Sequence, residues 1–423
     1  RPNTPAPLFF AILRALRRLP AGTEIVPKRR DKGGVRSLSN SMWTWAALCG
    51  NMGEKEVSLC CNPCIKPSPA AWRESRLHKS GPDSPQAPLR YIRGSRLLAL
   101  PLCGGPLACI AGALQPRPQS FLGNTALPWQ GGYLAIWELE GEEDPDHLAA
   151  NLVHELFHVY QFTCRESRFP QDIPLLLSPA PPSSLASRMQ EGALLAQAVT
   201  ADPSMALECL SQFCALRRQR QDSPEWEQEC LVETAEGMAE FADLSALEAL
   251  APEKYRAQLD RSRAILQNPG PLLADTRRMA YYSGALLLLG AQRAGLELRH
   301  SLSGQSKPLF SFLDRQFSQL PPVPLEQAAL EAAAAVAAAQ ESAHRETLDR
   351  FFAASPSCQR GRFRICGYDP MNQFILDRKL YCSHFLALSD LETGEVIHLA
   401  GKSLFCLLPD SASEGDAVYR LEP

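Results

Sequence analysis

No apolar run in this 423-residue chain approaches the roughly 20 residues that a helix needs to cross a bilayer. A membrane partner is therefore not expected. Nothing near the start reads as a secretory signal. The short apolar patch between Pro2 and Pro20 is followed by Arg14, Arg17 and Arg18, and no small-residue cleavage site comes after it. The chain begins with Arg1, which leaves its natural start open. No internal repeat is visible, no glycine-rich phosphate loop, and no grouping suited to thiol or serine catalysis. The 14 cysteines lack metal-site spacing: Cys60, Cys61 and Cys64 have no matching Cys/His pair, so a zinc ribbon is not expected. Reduced thiols in a cytoplasm are the simpler reading.

What is present is the composition of a globular protein, 45% apolar and 21% charged, and long enough for two or three domains with a substantial core. The 35 prolines argue for many loops and interrupted elements. A net charge of -3 conceals an asymmetry. Residues 1–100 hold 17 Lys+Arg against 6 Asp+Glu, and the remainder 26 against 40. The basic part could suggest nucleic acid, but its charges are scattered among Pro, Ser and Gly without periodicity. No nucleic-acid partner is expected. Residues 1–85 are expected to be irregular, possessing no role in the functional fold.

Patterning beyond that point predicts an α+β protein. Short apolar runs, Leu97-Leu98-Ala99-Leu100 and Tyr133-Leu134-Ala135-Ile136-Trp137, predict a strand-rich lobe over 86–140. Asp144-Pro145 is a helix-start signal, with the helix reaching about Phe162. Helical patterns follow over Ser184–Leu216, Pro224–Leu250, Pro252–Gln267, Arg277–Ala294 and Leu325–Phe352, so that 144–352 makes a mainly helical part of one domain spanning 86–355. From 356 to 423 the texture is strand-like. Leu380–Leu388 and Glu395–Leu408, joined by a turn at Thr393-Gly394, predict a small C-terminal β unit.

The first of these helices carries His154-Glu155-Leu156-Phe157-His158. Two histidines four apart lie one above the other on a helix, so both imidazoles can reach one ion. A Glu beside the first can hydrogen-bond a water at that ion and accept its proton. Leu148, Leu152, Leu156 and Phe157 supply packing positions, and Asn151, His154, His158 and Gln161 share a polar side. The bland reading of the same residues is two surface histidines on an amphipathic helix.

A catalytic zinc site needs a third protein ligand. The metzincin pattern would place Gly and His at positions held by Gln161 and Cys164, which excludes that class. The leading candidate is Glu236, in Glu233-Thr234-Ala235-Glu236-Gly237-Met238-Ala239-Glu240-Phe241. Glu191, in Glu191-Gly192-Ala193-Leu194, competes with it, as do Glu233 and, more weakly, Cys164. Glu233, Glu236, Glu240 and Asp243 share one face, which also fits a solvated acidic stripe. Gly237 weighs against that, because an interior helical Gly costs about 1 kcal/mol relative to Ala and suggests close packing or a metal site.

His154-Glu155-x-x-His158, then Glu236-Gly237-x-Ala239-x-Phe241, then Tyr281-Tyr282-Ser283-Gly284-Ala285 resemble the gluzincin metallopeptidases, the thermolysin-like and aminopeptidase-N-like enzymes. The resemblance covers roughly Phe121 to Leu289. It implies a zincin-like active-site helix, a Zn2+ ion on His154, His158 and Glu236, and Glu155 as general base acting on a peptide or protein substrate. In the aminopeptidase-like members a Tyr three residues before the Gly of Tyr-x-x-Gly-Ala steadies the oxyanion, and Tyr281 holds that position. An aromatic packing pair with Tyr282 is the alternative. Such folds also align the peptide along an edge strand ahead of the metal helix, for which Tyr133 to Leu139 is the candidate. Two departures stand out. His158 and Glu236 are 78 residues apart, and no Gly-x-Met-Glu-Asn run precedes the metal helix, so exopeptidase activity is not implied.

Zinc-dependent peptide hydrolysis is thus the expected function. A non-catalytic, zinc-stabilised binding protein is the alternative from another class, and a basic-arm nucleic-acid binder is a weaker third.

Overall fold

The computed structural model describes residues 99–101, 107–110, 113–116, 118, 121–138, 144–298 and 305–421. The irregular segment expected over 1–85, with Cys60, Cys61 and Cys64, lies outside the described residues. Helices and strands are mixed and largely segregated along the chain, an α+β arrangement ending in a small sheet. Among the described residues no helix is long and apolar enough to cross a membrane. The eight cysteines from Cys164 onward are free thiols.

One compact unit takes in the described residues up to Glu166 together with Ala242–Arg256. Its five-stranded sheet runs β3-β2-β1-β5-β4, from β1 (Ala99–Pro101), β2 (Leu107–Ile110), β3 (Ala113–Pro116), β4 (Thr125–Trp129) and β5 (Gly132–Ile136). Only β1 and β5 pair in parallel. The β4–β5 hairpin turns on Gln130 and Gly131, both at positive φ (45° and 83°), the arrangement a two-residue turn needs to match strand twist. Phe121, Leu134 and Ile136 make its core with Leu127 and Trp129. The segment Tyr133 to Leu139, expected at an edge, instead has its ordered strand β5 inside the sheet, between β1 and β4. The edge is β4, where Pro128 is tolerated because an edge position does not need its missing N–H.

Helix α1 (Pro145–Thr163) packs on the β4–β5 hairpin. It starts as Asp144-Pro145 predicts: the Asp144 side chain accepts from the backbone N–H groups of Asp146 and His147, each at 3.1 Å.

The second unit takes in Ser167–Phe241, Ala257–His300 and the chain from Gln305. Its helices are α2 (Asp172–Leu177), α3 (Pro182–Ala198), α4 (Pro203–Gln219), α5 (Trp226–Leu250), α6 (Pro252–Gln267), α7 (Thr276–Arg293), α8 (Leu309–Asp314) and α9 (Gln327–Ala353). Helices α5 and α6 run across the division and contribute to both units. The pattern expected as one helix over Ser184–Leu216 is two, α3 and α4. Asp202 caps α4 by accepting from Ser204 and Met205 N–H, and Pro203 opens it, the same signal that opens α1.

The C-terminal sheet is larger than the two expected runs. Seven antiparallel strands lie in the order β10-β9-β6-β12-β11-β8-β7. They are β6 (Ser357–Tyr368), β7 (Gln373–Leu376), β8 (Lys379–Cys382), β9 (Phe385–Asp390), β10 (Val396–Ala400), β11 (Ser403–Leu407) and β12 (Glu414–Arg420). Each expected run is two strands with a short turn between them, the second turn using Gly401 at φ 78°. Gly394, at φ 76°, lies between β9 and β10, where the turn was expected. The sheet core of Phe363, Leu380, Leu386, Leu388 and Phe405 also takes Ile173 of α2, with Leu176 and Leu177 packed against it.

Within the second unit α5 and α7 meet at two glycines. A Cβ on Gly237 would lie 2.5 Å from the Gly284 Cα, and one on Gly284 would lie 2.5 Å from the Glu233 carbonyl oxygen. Both obstacles are backbone, so a side chain cannot swing aside to make room. Gly237 is therefore explained by close packing, and its partner belongs to Tyr281-Tyr282-Ser283-Gly284. Gly237→Ala should gain about 1 kcal/mol of helix propensity but lose up to about 3 kcal/mol to overpacking. A net loss of about 2 kcal/mol is expected in urea unfolding; unchanged or higher stability would show that the helices are not in contact there.

Candidate metal centre

Helix α1 places the two histidines. Its first turn is clamped by Lys254, whose Nζ lies 2.6 Å from Asp144 Oδ2 and 2.7 Å from Asp146 Oδ2. Near its other end Phe162 stacks on Tyr133 of β5, with ring centroids 5.1 Å apart. Between these anchors His154 and His158 stand one turn apart, their rings edge-on and their Nε2 atoms 3.2 Å apart. His158 Nδ1 lies 2.7 Å from Gln161 Oε1. A carbonyl oxygen can only accept, so with the Gln161 amide in this orientation Nδ1 carries the hydrogen and, in the neutral ring, Nε2 presents its lone pair. That is the tautomer a metal ligand requires, fixed by an outer partner in the manner usual for metal-bound histidine. Gln161 is fully buried. Its position three residues after His158 was visible in the sequence, but its role was not. His154 and Glu155 are buried as well, at 8% and 7% exposure, and His158 is half-buried, so the histidines are not a fully exposed surface pair.

Glu236 sits on α5 and is 7% exposed. Arg277, from the first turn of α7, donates through Nη2 to Glu236 Oε1 at 2.5 Å and through Nη1 to Asp172 of α2. Tyr281, one turn further along α7 and half-buried, hydrogen-bonds the same guanidinium. Burial opposes the charge on Arg277, but Glu236, Tyr281 and Asp172 outweigh it and hold the guanidinium well above its ordinary range. Burial pushes the Asp172 carboxyl up, against the pull of Arg277. Tyr368 of β6 contacts Asp172 in turn, at 3.4 Å.

Among the described residues, His154, His158 and Glu236 form a group able to hold a metal ion, with one ligand atom from each within 4.8 Å of the others. Cys164 is not in that group. Its thiol is pushed up first by burial, and its hydrogen bond is to Tyr160.

The other two candidates are committed elsewhere. Glu191 accepts from Arg217 Nε at 2.6 Å and from Arg220 Nε at 2.7 Å. Glu233 takes both terminal nitrogens of Arg217, at 2.7 and 2.9 Å, and the Ser283 hydroxyl at 2.5 Å. Glu229 completes the cluster with Arg188 and Arg220. Burial alone would raise the Glu229 carboxyl, but Arg188, Arg220 and Arg217 hold it well below the usual range. Glu191, Glu229 and Glu233 are all essentially inaccessible, and of Glu233, Glu236, Glu240 and Asp243 all are buried but the half-buried Glu240, so that face of α5 is not a solvated stripe.

No protein-family model, curated protein or solved structure matches the chain significantly.

These placements separate two effects that one substitution type should show. If Glu236 is a ligand, Glu236→Gln removes its anionic charge and should weaken Zn2+ binding by at least about tenfold while the protein stays folded. Glu191→Gln leaves Arg217 and Arg220 short of a buried counter-charge and should cost about 3 kcal/mol of stability with little change in metal affinity. Chelator competition and thermal melts on both variants check this; a Glu191 variant that loses the metal but keeps its stability would reverse the assignment.

Proposed function

We propose that the chain is a zinc-dependent peptidase of gluzincin-like type, with His154, His158 and Glu236 as ligands and Glu155 as general base. The observation that carries this reading is the 3.2 Å separation of the two Nε2 atoms. Two ligands at tetrahedral angles and bond lengths of about 2.0–2.1 Å stand about 3.3 Å apart, so the imidazoles are already spaced for one zinc ion. The Gln161 contact and the His2Glu donor set fit the same ion. Zinc, when bound, supplies a Lewis acid that lowers the pKa of a water towards about 7 and polarises a carbonyl.

The chain's own residues do the rest. Glu155 is next to His154 and turned about 100° from it on the helix, so it is suited to holding a water and taking its proton rather than to ligation. Buried as it is, the carboxylate works where water competes little for the proton. Tyr281 would donate its phenol hydrogen to the oxyanion that develops on the scissile carbonyl. Since β5 is interior, the peptide-aligning role falls to the edge strand β4, whose backbone could pair with an extended substrate.

Glu155→Gln keeps size and much of the hydrogen bonding but removes the base. It should bind zinc nearly as well as wild type and cleave at least about 100-fold more slowly. Tyr281→Phe should keep its zinc and lose about 10- to 1000-fold in turnover, the usual worth of one oxyanion donor. Zinc per chain by elemental analysis, paired with cleavage of a mixed peptide library by mass spectrometry, tests both. Stoichiometric zinc without cleavage by wild type would favour a zinc-stabilised binding protein. A Glu155 variant as fast as wild type would sink the mechanism.

A further inference from the structure

We propose that Arg277 is a positioning residue for the third ligand, and that its hold passes through Asp172 to the C-terminal sheet. The inference rests on the assignment of Glu236 as a ligand. Arg277 is neither a substrate-facing cation nor a simple surface pair. Its two terminal nitrogens go to two different buried carboxylates on two different helices, Glu236 on α5 and Asp172 on α2. A carboxylate gripped at one oxygen has its plane and rotation restricted, which restricts where its other oxygen can point. A ligand carboxylate benefits from that restriction, because less side-chain freedom is lost when the metal binds.

Asp172 is what keeps the grip in place. It lies in the first turn of α2 and receives the Tyr368 hydroxyl of β6 at 3.4 Å. The next residue, Ile173, is buried in the core of the C-terminal sheet with Phe363, Leu380 and Leu388. The order of connection is thus sheet, Asp172, Arg277, Glu236. This gives the terminal β unit a part in the site although none of its residues is a candidate ligand. Tyr281 on the same guanidinium places the proposed oxyanion donor under the same control.

Only a planar fork can reach both carboxylates at once. Lys keeps the charge but presents a single point of donation, so Arg277→Lys separates geometry from electrostatic repulsion of the metal, which is unchanged. The test uses the full-length chain stripped of metal, with Zn2+ alone as the probe and a chromophoric chelator as competitor. Arg277→Lys should raise the Zn2+ dissociation constant by about 10- to 100-fold, the range typical of lost outer-shell partners. Asp172→Asn leaves Arg277 and Glu236 in place while removing the ionic anchor, and should raise it by about three- to tenfold. Asp172→Asn decides the matter if Arg277→Lys fails to fold, as judged by circular dichroism. Wild-type affinity in a folded Arg277→Lys, or in Asp172→Asn, overturns the proposal. The underlying assignment fails separately: if wild type binds no Zn2+, or Glu236→Gln binds it as tightly as wild type, Glu236 is not a ligand. If Glu236→Gln loses the metal while both positioning variants keep it, only the role of Arg277 is lost.

Discussion

A carboxylate taken out of water is costly unless it is paired, and helix α5 carries Glu229, Glu233 and Glu236 inward, with Asp243 further along. An unpaired charge in such a place costs several kcal/mol, so the surrounding helices are arranged around answering it. Helix α3 sends Arg188, α4 and the residue after it send Arg217 and Arg220, and α7 sends Arg277. Close approach of α5 and α7 at Gly237 and Gly284 is part of the same solution, since Ser283 reaches Glu233 from there. Further along α5 the answer changes. Glu229 and Glu233 receive guanidinium forks from residues that also serve Glu191, a dense and closed cluster. Glu236 shares the Arg277 guanidinium with Asp172.

The sequence shows what local chemistry decides. Asp144-Pro145 marks the start of α1 to the residue because capping and proline's fixed φ act within one turn. The His154–His158 pair was visible for the same reason, since four residues on a helix is a fixed geometry. The identical signal at Asp202-Pro203 is masked by the apolar periodicity on either side of it. In the C-terminal sheet, alternation located strand material, but breaks at Ser383-His384 and Gly401-Lys402 are short enough to leave the pattern nearly continuous. The strand expected at an edge proved interior because pairing partners, unlike alternation, are not encoded locally.

The choice among Glu191, Glu233 and Glu236 could not be made from neighbours in sequence. All three sit in helical surroundings with small residues close by, and Glu191 and Glu236 are each followed by Gly. What separates them is which arginine faces them, and those arginines come from 26, 16 and 41 residues away. Gly237 illustrates the limit well. Its unfavourable helix propensity signalled a constraint, and the constraint proved to be a backbone contact with Gly284 rather than the candidate ligand beside it. One residue of the helix answers to packing and the next to charge.

A zinc-stabilised binding protein and a zinc hydrolase would both keep His154, His158 and Glu236, so the ligands themselves do not separate them. The number of ligands does bear on the choice. Structural zinc sites are closed, with four protein ligands, whereas catalytic sites keep one position for water or substrate. Among the described residues the candidate group contains three, and Cys164, the nearest thiol along the helix, is engaged with Tyr160 instead. A site that served stability alone would also gain nothing from a second buried carboxylate beside its ligands. Glu155 is such a carboxylate, at 7% exposure. Proton transfer from a water at an open position would give a carboxylate beside His154 a role, which is why we propose hydrolysis over metal binding alone.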